Sequence, residues 1–448
     1  MISPITTSKI YSTLGSNSSL VPLAIKDIAN SLGLTAGAYL VGKSEEGQDR
    51  FIDEFGTQAI WLFGIPVYKK IIDLLTFKPF GFDSKVDVRT LKNKDIFEKA
   101  KKYAANDNVR KSLEKAANNQ KTFKALTIGK FAASTLLTIA TYAALTKFRH
   151  KRTEEKIRAN ILAEKANNQK TNENLQEKNN LTDKKMAEFS NNPSFKGGIA
   201  DFMFNPVKNL MIVDAAISGE RFLHSRSLQD FLGYTVKEST FWFFMYFASQ
   251  RIQKCLENKA LKNGRTIALD SRVIESPELK NAIDNSTIKS ALKAFNKAKN
   301  DVEIYEFINK NPENFVVKMA KKSDIVKTHA KTDGLIMQTL RKIGILKPLK
   351  NADKIDTRAF IDTKEVKDFA SSLENLYNQY LTSGENSDKF LKSVKKLKRA
   401  SVFKSMGACI GFLGCIAPTI MVSIRLLRHD KGFQVREKIE KEFNSNEK

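Results

Sequence analysis

The sequence predicts an all-α membrane protein built from two duplicated halves, with a helical soluble insertion in the second half. Three observations carry this expectation. One uncharged stretch has the length of a bilayer span, the chain's landmarks recur in the same order in both halves, and no run of alternating β-branched residues suggests a sheet.

The uncharged stretch is 405–424, SMGACIGFLGCIAPTIMVSI, twenty positions without a charged residue. A helix of about 20 residues crosses about 30 Å of hydrocarbon. Lys398, Arg399 and Lys404 precede it, and Arg425 and Arg428 follow it. A buried helix of a soluble protein is the competing reading. A second stretch, 125–146, is interrupted only near its start by Lys130, where a long cationic side chain can reach the interface. Two shorter apolar segments, 57–68 and 239–249, hold the only tryptophans, Trp61 and Trp242. Their length suits a core helix or a re-entrant or interfacial element better than a full span, and aromatics beside cations suit the headgroup layer.

The duplication is read by aligning the two tryptophans. IWLFGIPVYKKI then faces FWFFMYFASQRI, the Phe-Lys pair at Phe123-Lys124 matches Phe403-Lys404, and Arg149-His150 matches Arg428-His429. The halves are set at 1–160 and 199–448, joined by a polar, amide-rich linker at 161–198 that lacks the apolar surface to order itself. The helical insertion covers about 273–350. Within the second half, Ile288, Leu292 and Phe295 share one helical face, as do Val366, Phe369, Leu373 and Leu376. Ser276-Pro277 marks a helix start and Gly384 a helix end.

The candidate interaction residues are three Asp-x-Arg triplets, Asp87/Arg89, Asp270/Arg272 and Asp356/Arg358. Such a pair can close on itself, or the carboxylate can bind backbone amides at the next helix start. A second set is basic and flanks the apolar helices: Arg149, Lys151, Arg152, Arg425 and Arg428 suit anionic lipid headgroups. Gly407 and Gly411 form a GxxxG step that would admit a neighbouring helix, from this chain or a protein partner.

A formal charge of +26 favours phosphate-rich surfaces. The aromatics cluster in apolar segments instead of interleaving with basic patches, which argues against nucleic acid and for a membrane. Cys255, Cys409 and Cys415 and the four histidines show no metal-ligand spacing, so neither a metal nor a cofactor is expected, and no catalytic residue is assigned. The N-terminal stretch lacks the apolar core of a secretory signal. The expected role is non-enzymatic, structural or interactive at a membrane surface. The alternative is a small-solute or lipid transporter whose site lies where the halves meet. A polar cavity there would favour transport, and a dry contact a scaffold.

Overall fold

The computed structural model describes residues 7–15, 20–42, 44–168, 199–225, 228–333, 337, 341, 343–349, 351–427 and 434–445. They are overwhelmingly helical, and their only β-type pairing is an isolated bridge between Thr328 and Ile355. Most of the expected linker, 169–198, lies outside the described residues.

Helices α1 (Thr7–Leu14) and α2 (Val21–Val41) open the chain. An unbroken helical run follows: α3 (Ser44–Ala59), a π-helical turn π1 (Ile60–Gly64), α4 (Ile65–Ile72) and π2 (Asp73–Phe77). After α5 (Lys94–Lys102) and α6 (Asp107–Asn118) comes α7 (Gln120–Asn168), whose 49 residues extend about 70 Å at 1.5 Å each. The next group is α8 (Ile199–Phe204), α9 (Pro206–Leu223) and a second unbroken run of α10 (Leu228–Trp242), π3 (Phe243–Ala248) and α11 (Ser249–Lys262). Six shorter helices then pack together: α12 (Ser271–Ile274), α13 (Pro277–Asp284), α14 (Thr287–Phe295), α15 (Asp301–Lys310), α16 (Phe315–Lys322) and α17 (His329–Thr332). The last elements are α18 (Thr363–Ser383), the run α19 (Ser387–Gly411), π4 (Phe412–Ile416) and α20 (Ala417–Leu427), and finally α21 (Gln434–Ser445).

Two regions differ in how they bury apolar surface. One continuous core gathers residues from 77–123 and 260–394 and includes Val86, Leu113, Ile274, Leu292, Val316, Leu373 and Phe390. The chain therefore leaves the long-helix body twice to build one compact unit from both excursions. Asparagine starts many of these helices. The side chains of Asn93, Asn106, Asn300, Asn314 and Asn386 each accept amide hydrogen bonds from their own first turn, as does Asn205 at α9. Each such cap contributes about 1 kcal/mol, so the amide-rich composition has a structural use. Pro277 stands in the first turn of α13 as the sequence suggests, but the Ser276 hydroxyl contacts Glu278 and Lys322 instead of capping. Gly384 ends α18 with φ +63°, where a side chain would be strained.

The long-helix body packs differently. Helix α4 lies along α7, and α11 along α19. Helix α9 also packs on α7, while α2 packs on π4 and α20. Helix α2 approaches the backbone of π4 closely: a Cβ on Gly33 would fall 2.2 Å from the Gly414 carbonyl oxygen. Gly407 and Gly411, expected to seat a neighbouring helix, have nothing within 4 Å of an added Cβ. Glycine-mediated packing within the chain is thus one helical turn or more away from the expected step.

Two helical stretches, Gln120–Glu164 and Ser387–Ser423, are long and apolar enough to cross a membrane. Only 17% and 33% of their apolar windows are buried by the rest of the chain. Around them, Leu40, Phe63, Leu75, Leu136, Phe247, Phe403 and Ile416 are all exposed.

Candidate functional site: a buried charge network

Between α2, α3, α7, α9 and α10 lies a network of charged side chains that local sequence pattern does not announce. Helix α3 reads SEEGQDRFIDEFGTQA, and its Asp49, Asp53 and Thr57 recur every four residues, so they form one polar stripe. The stripe faces inward. Asp49 and Asp53 are 2% and 1% exposed. Arg149 of α7 reaches both, at 3.1 Å and 3.5 Å, and is itself 2% exposed. The Thr153 hydroxyl donates to Asp49 at 2.6 Å, and the Tyr142 hydroxyl to Asp53 at 2.9 Å.

Helices α9 and α10 contribute further members. Arg221 of α9 donates to Tyr142 Oη at 2.7 Å, to Glu238 Oε1 at 2.7 Å and to Thr57 Oγ1 at 3.2 Å. Lys237 of α10 pairs with Glu54 at 2.7 Å and lies 3.5 Å from Glu238. Ser218 donates to the other Glu238 oxygen at 2.6 Å. Buried ions are costly unless paired and hydrogen-bonded, and these are mostly both.

Two carboxyl groups stand apart. Asp27 of α2 accepts from Trp61 Nε1 at 2.8 Å, and Asp214 of α9 accepts from the Tyr246 hydroxyl. Neither has a cation within salt-bridge distance among the described residues. Each is held by an aromatic donor from a π-helical turn, Trp61 from π1 and Tyr246 from π3. Turns of this kind are uncommon and concentrate at functional sites. The π3 turn also leaves carbonyls for a buried cation: Lys26 Nζ donates to Met245 O at 3.0 Å and to Phe244 O at 3.4 Å.

Asp27 and Asp214 both line a cavity of about 20 Å³, with walls that include Asn30, Glu54, Trp61, Arg221, Lys237 and Glu238. A cavity of this size holds one or two water molecules. Among the described residues no group of three His, Cys, Asp or Glu is arranged to hold a metal ion.

Several residues expected at a membrane surface sit here instead. Arg149 belongs to the interior network and cannot meet a lipid headgroup. Trp61 is 5% exposed and directs its N–H at Asp27, while Trp242, half-buried, directs its own at Ser218 at 3.3 Å. The carboxyl and hydroxyl partners inside the body outcompete an interfacial location for both indoles. Lys151 is exposed and Arg152 half-buried. The Arg425 side chain and all of Arg428 lie outside the described residues.

The three Asp-x-Arg triplets adopt one local geometry in the compact unit. In each, the first carboxylate oxygen accepts the backbone N–H of the arginine, at 2.9 Å for Asp87, 2.8 Å for Asp270 and 3.1 Å for Asp356. The guanidinium folds back on the same carboxylate. Two of the loops then meet. Asp87 N–H donates to the Arg358 carbonyl at 2.9 Å, and Arg358 donates to Asp83 at 2.6 Å. Arg89 lies over Phe360 and Phe204. The third loop instead anchors α16, with Arg272 donating to Asp324 and, at 2.8 Å, to the Ser323 carbonyl. Burial would raise the Asp356 carboxyl, but Arg358 outweighs it and holds that group below the ordinary carboxylate value. Burial also lowers His329, against the opposing pull of Asp356. These triplets tie loops to helices.

The fold and site define a class: an all-α protein with two apolar helices of membrane-spanning length and an ion-paired interior. Comparison with protein-family models, curated proteins and solved structures returned no match.

Proposed function

We propose that the chain is an integral membrane protein of two related halves that carries a small solute across the bilayer through the interface between them. The observation that carries this reading is the cavity. Its walls come from α2, α3 and π1 on one side and from α9 and α10 on the other, and they are charged. A scaffold would need only a dry contact there. Ionisable groups within a membrane body are expensive and mark solute or proton pathways by default. Helices interrupted near such a site are a recurrent device of carriers.

The two-half organisation is supported by exchange of partners. Helix α4 packs on α7 as α11 packs on α19, and each half's α2 or α9 crosses to the other half's long helix. Membrane residence is supported by the large uncovered apolar surface of α7 and of α19 through α20. Exposed Lys151 and half-buried Arg152 would then meet anionic headgroups at one face.

The test has two parts. Carbonate extraction should leave the full-length protein in the membrane pellet, and release into the soluble fraction would end the membrane reading. Asn30→Cys, in a chain whose native cysteines are replaced by serine, should react with a small water-soluble methanethiosulfonate from at least one side of sealed vesicles. An Asn30→Cys thiol inert from both sides would mean a dry interface and return the protein to a scaffold role.

A further inference from the structure

Resting on the carrier reading above, we infer that Asp27 and Asp214 form a proton-carrying pair, so that the proton is itself an ion this protein transports. The argument begins with charge. Four carboxyl groups line the cavity, Asp27, Glu54, Asp214 and Glu238, against two cations, Arg221 and Lys237. Both cations are committed elsewhere: Arg221 and Lys237 form ion pairs with Glu238 and Glu54 at 2.7 Å each. Arg50, from α3, leans on Asp53 and Glu54 at 3.7 Å and 3.8 Å. The excess of two negative groups coincides with the two carboxyls that have no ion-pair partner. Both are more than nine-tenths buried.

Two uncompensated carboxylates cannot both remain charged in a low-dielectric interior. They take up protons or a cation. A resident metal lacks ligands, because no three-donor cluster exists among the described residues and two cations share the cavity wall. The proton needs none. A protonated carboxyl does need an acceptor for its O–H, and a second polar group points into the same space. Asn30 is 3% exposed and lines the cavity. Its amide and one or two waters can connect Asp27 to Asp214, one carboxyl from each half. The aromatic donors Trp61 and Tyr246 hold the other carboxyl oxygens in place, leaving the inward oxygens for the exchange.

The experiment uses the full chain in liposomes of phosphatidylcholine and phosphatidylglycerol loaded with a pH-sensitive dye. A potassium diffusion potential, negative inside, drives uptake. Proton uptake should exceed that of empty liposomes severalfold, and Asp27→Asn and Asp214→Asn should each return it to the empty-liposome rate. Asparagine mimics the neutral acid, so both variants should remain folded, as judged by a monodisperse gel-filtration peak and an unchanged helical circular-dichroism signal. Asp27→Glu should restore part of the flux. Wild-type protein without proton uptake, or either asparagine variant with wild-type uptake, overturns the proton assignment. If the Asn30→Cys thiol is nonetheless water-accessible in the inserted protein, the carrier reading survives that failure. An inert Asn30→Cys thiol sinks the carrier reading itself.

Discussion

Trp61 donates its indole N–H to Asp27 at 2.8 Å, and both side chains are buried. The chain has only two tryptophans, so this relationship can be read optically. In a Trp242→Phe protein the single remaining indole should emit at short wavelength and resist quenching by acrylamide. Emission typical of water, quenched freely, would put Trp61 at the surface. Trp61→Phe removes the donor and leaves the carboxyl without it, which should cost about 1–3 kcal/mol and lower the midpoint of thermal unfolding.

The reach of the sequence can be judged from these same helices. Hydropathy found α7 and the run through π4 because their apolar faces are nearly continuous. It read 57–68 and 239–249 as short pieces, either core helix or re-entrant or interfacial elements, and they are the centres of longer helical runs spanning 44–77 and 228–262. Charges at Asp53, Glu54, Lys237 and Glu238 truncated those pieces on paper; in the fold Lys237 pairs with Glu54, Arg221 with Glu238, and Arg149 and Arg221 with Asp53. Ion pairing between residues well over a hundred positions apart leaves no periodic trace. One local signal was available: Lys237 and Glu238 sit side by side in an otherwise apolar run. The Asp-x-Arg loops were visible as recurring triplets because their geometry is local, but the docking of Asp87 on Arg358 was not.

Arg149 supplies a second test. It is enclosed by Asp49 and Asp53, so Arg149→Ala should leave two buried carboxylates short of a cation. Breaking a buried pair from one side costs about 3–5 kcal/mol. Thermal unfolding in detergent should show a large drop for Arg149→Ala and almost none for Lys151→Ala two residues away. Equal effects would place Arg149 at a surface.

Acid should loosen the compact unit before it reaches ordinary carboxylate chemistry. His329 has a folded value below its ordinary 6.5, so the unfolded chain binds the proton first. Stability from this group is complete above pH 6.5 and declines as pH falls through the folded value. Asp356, also depressed by Arg358, adds a second loss that starts below its ordinary 3.8. Unfolding of the full chain followed between pH 7.5 and 5 should therefore show a falling midpoint, assigned by its absence in His329→Gln. A midpoint that rises on acidification in this range would reverse the assigned sign.

Glycine positions separate close packing from mere small-residue composition. An added Cβ at Gly33 would strike the Gly414 carbonyl oxygen of π4 at 2.2 Å, and backbone on both sides cannot yield as a side chain would. Gly33→Ala must therefore push α2 from π4, with an overpacking cost of about 1–3 kcal/mol. Since Asp27 and Asn30 ride on α2, the same shift should distort the cavity, and proton uptake should fall with stability. Gly407→Ala and Gly411→Ala meet open space on exposed or half-exposed helix, where replacing glycine gains about 0.5–1 kcal/mol of helix stability. Thermal unfolding should thus move in opposite directions for Gly33→Ala and for the other two. Destabilisation by Gly407→Ala or Gly411→Ala would instead reveal a partner helix seated at that step, supplied by a second chain.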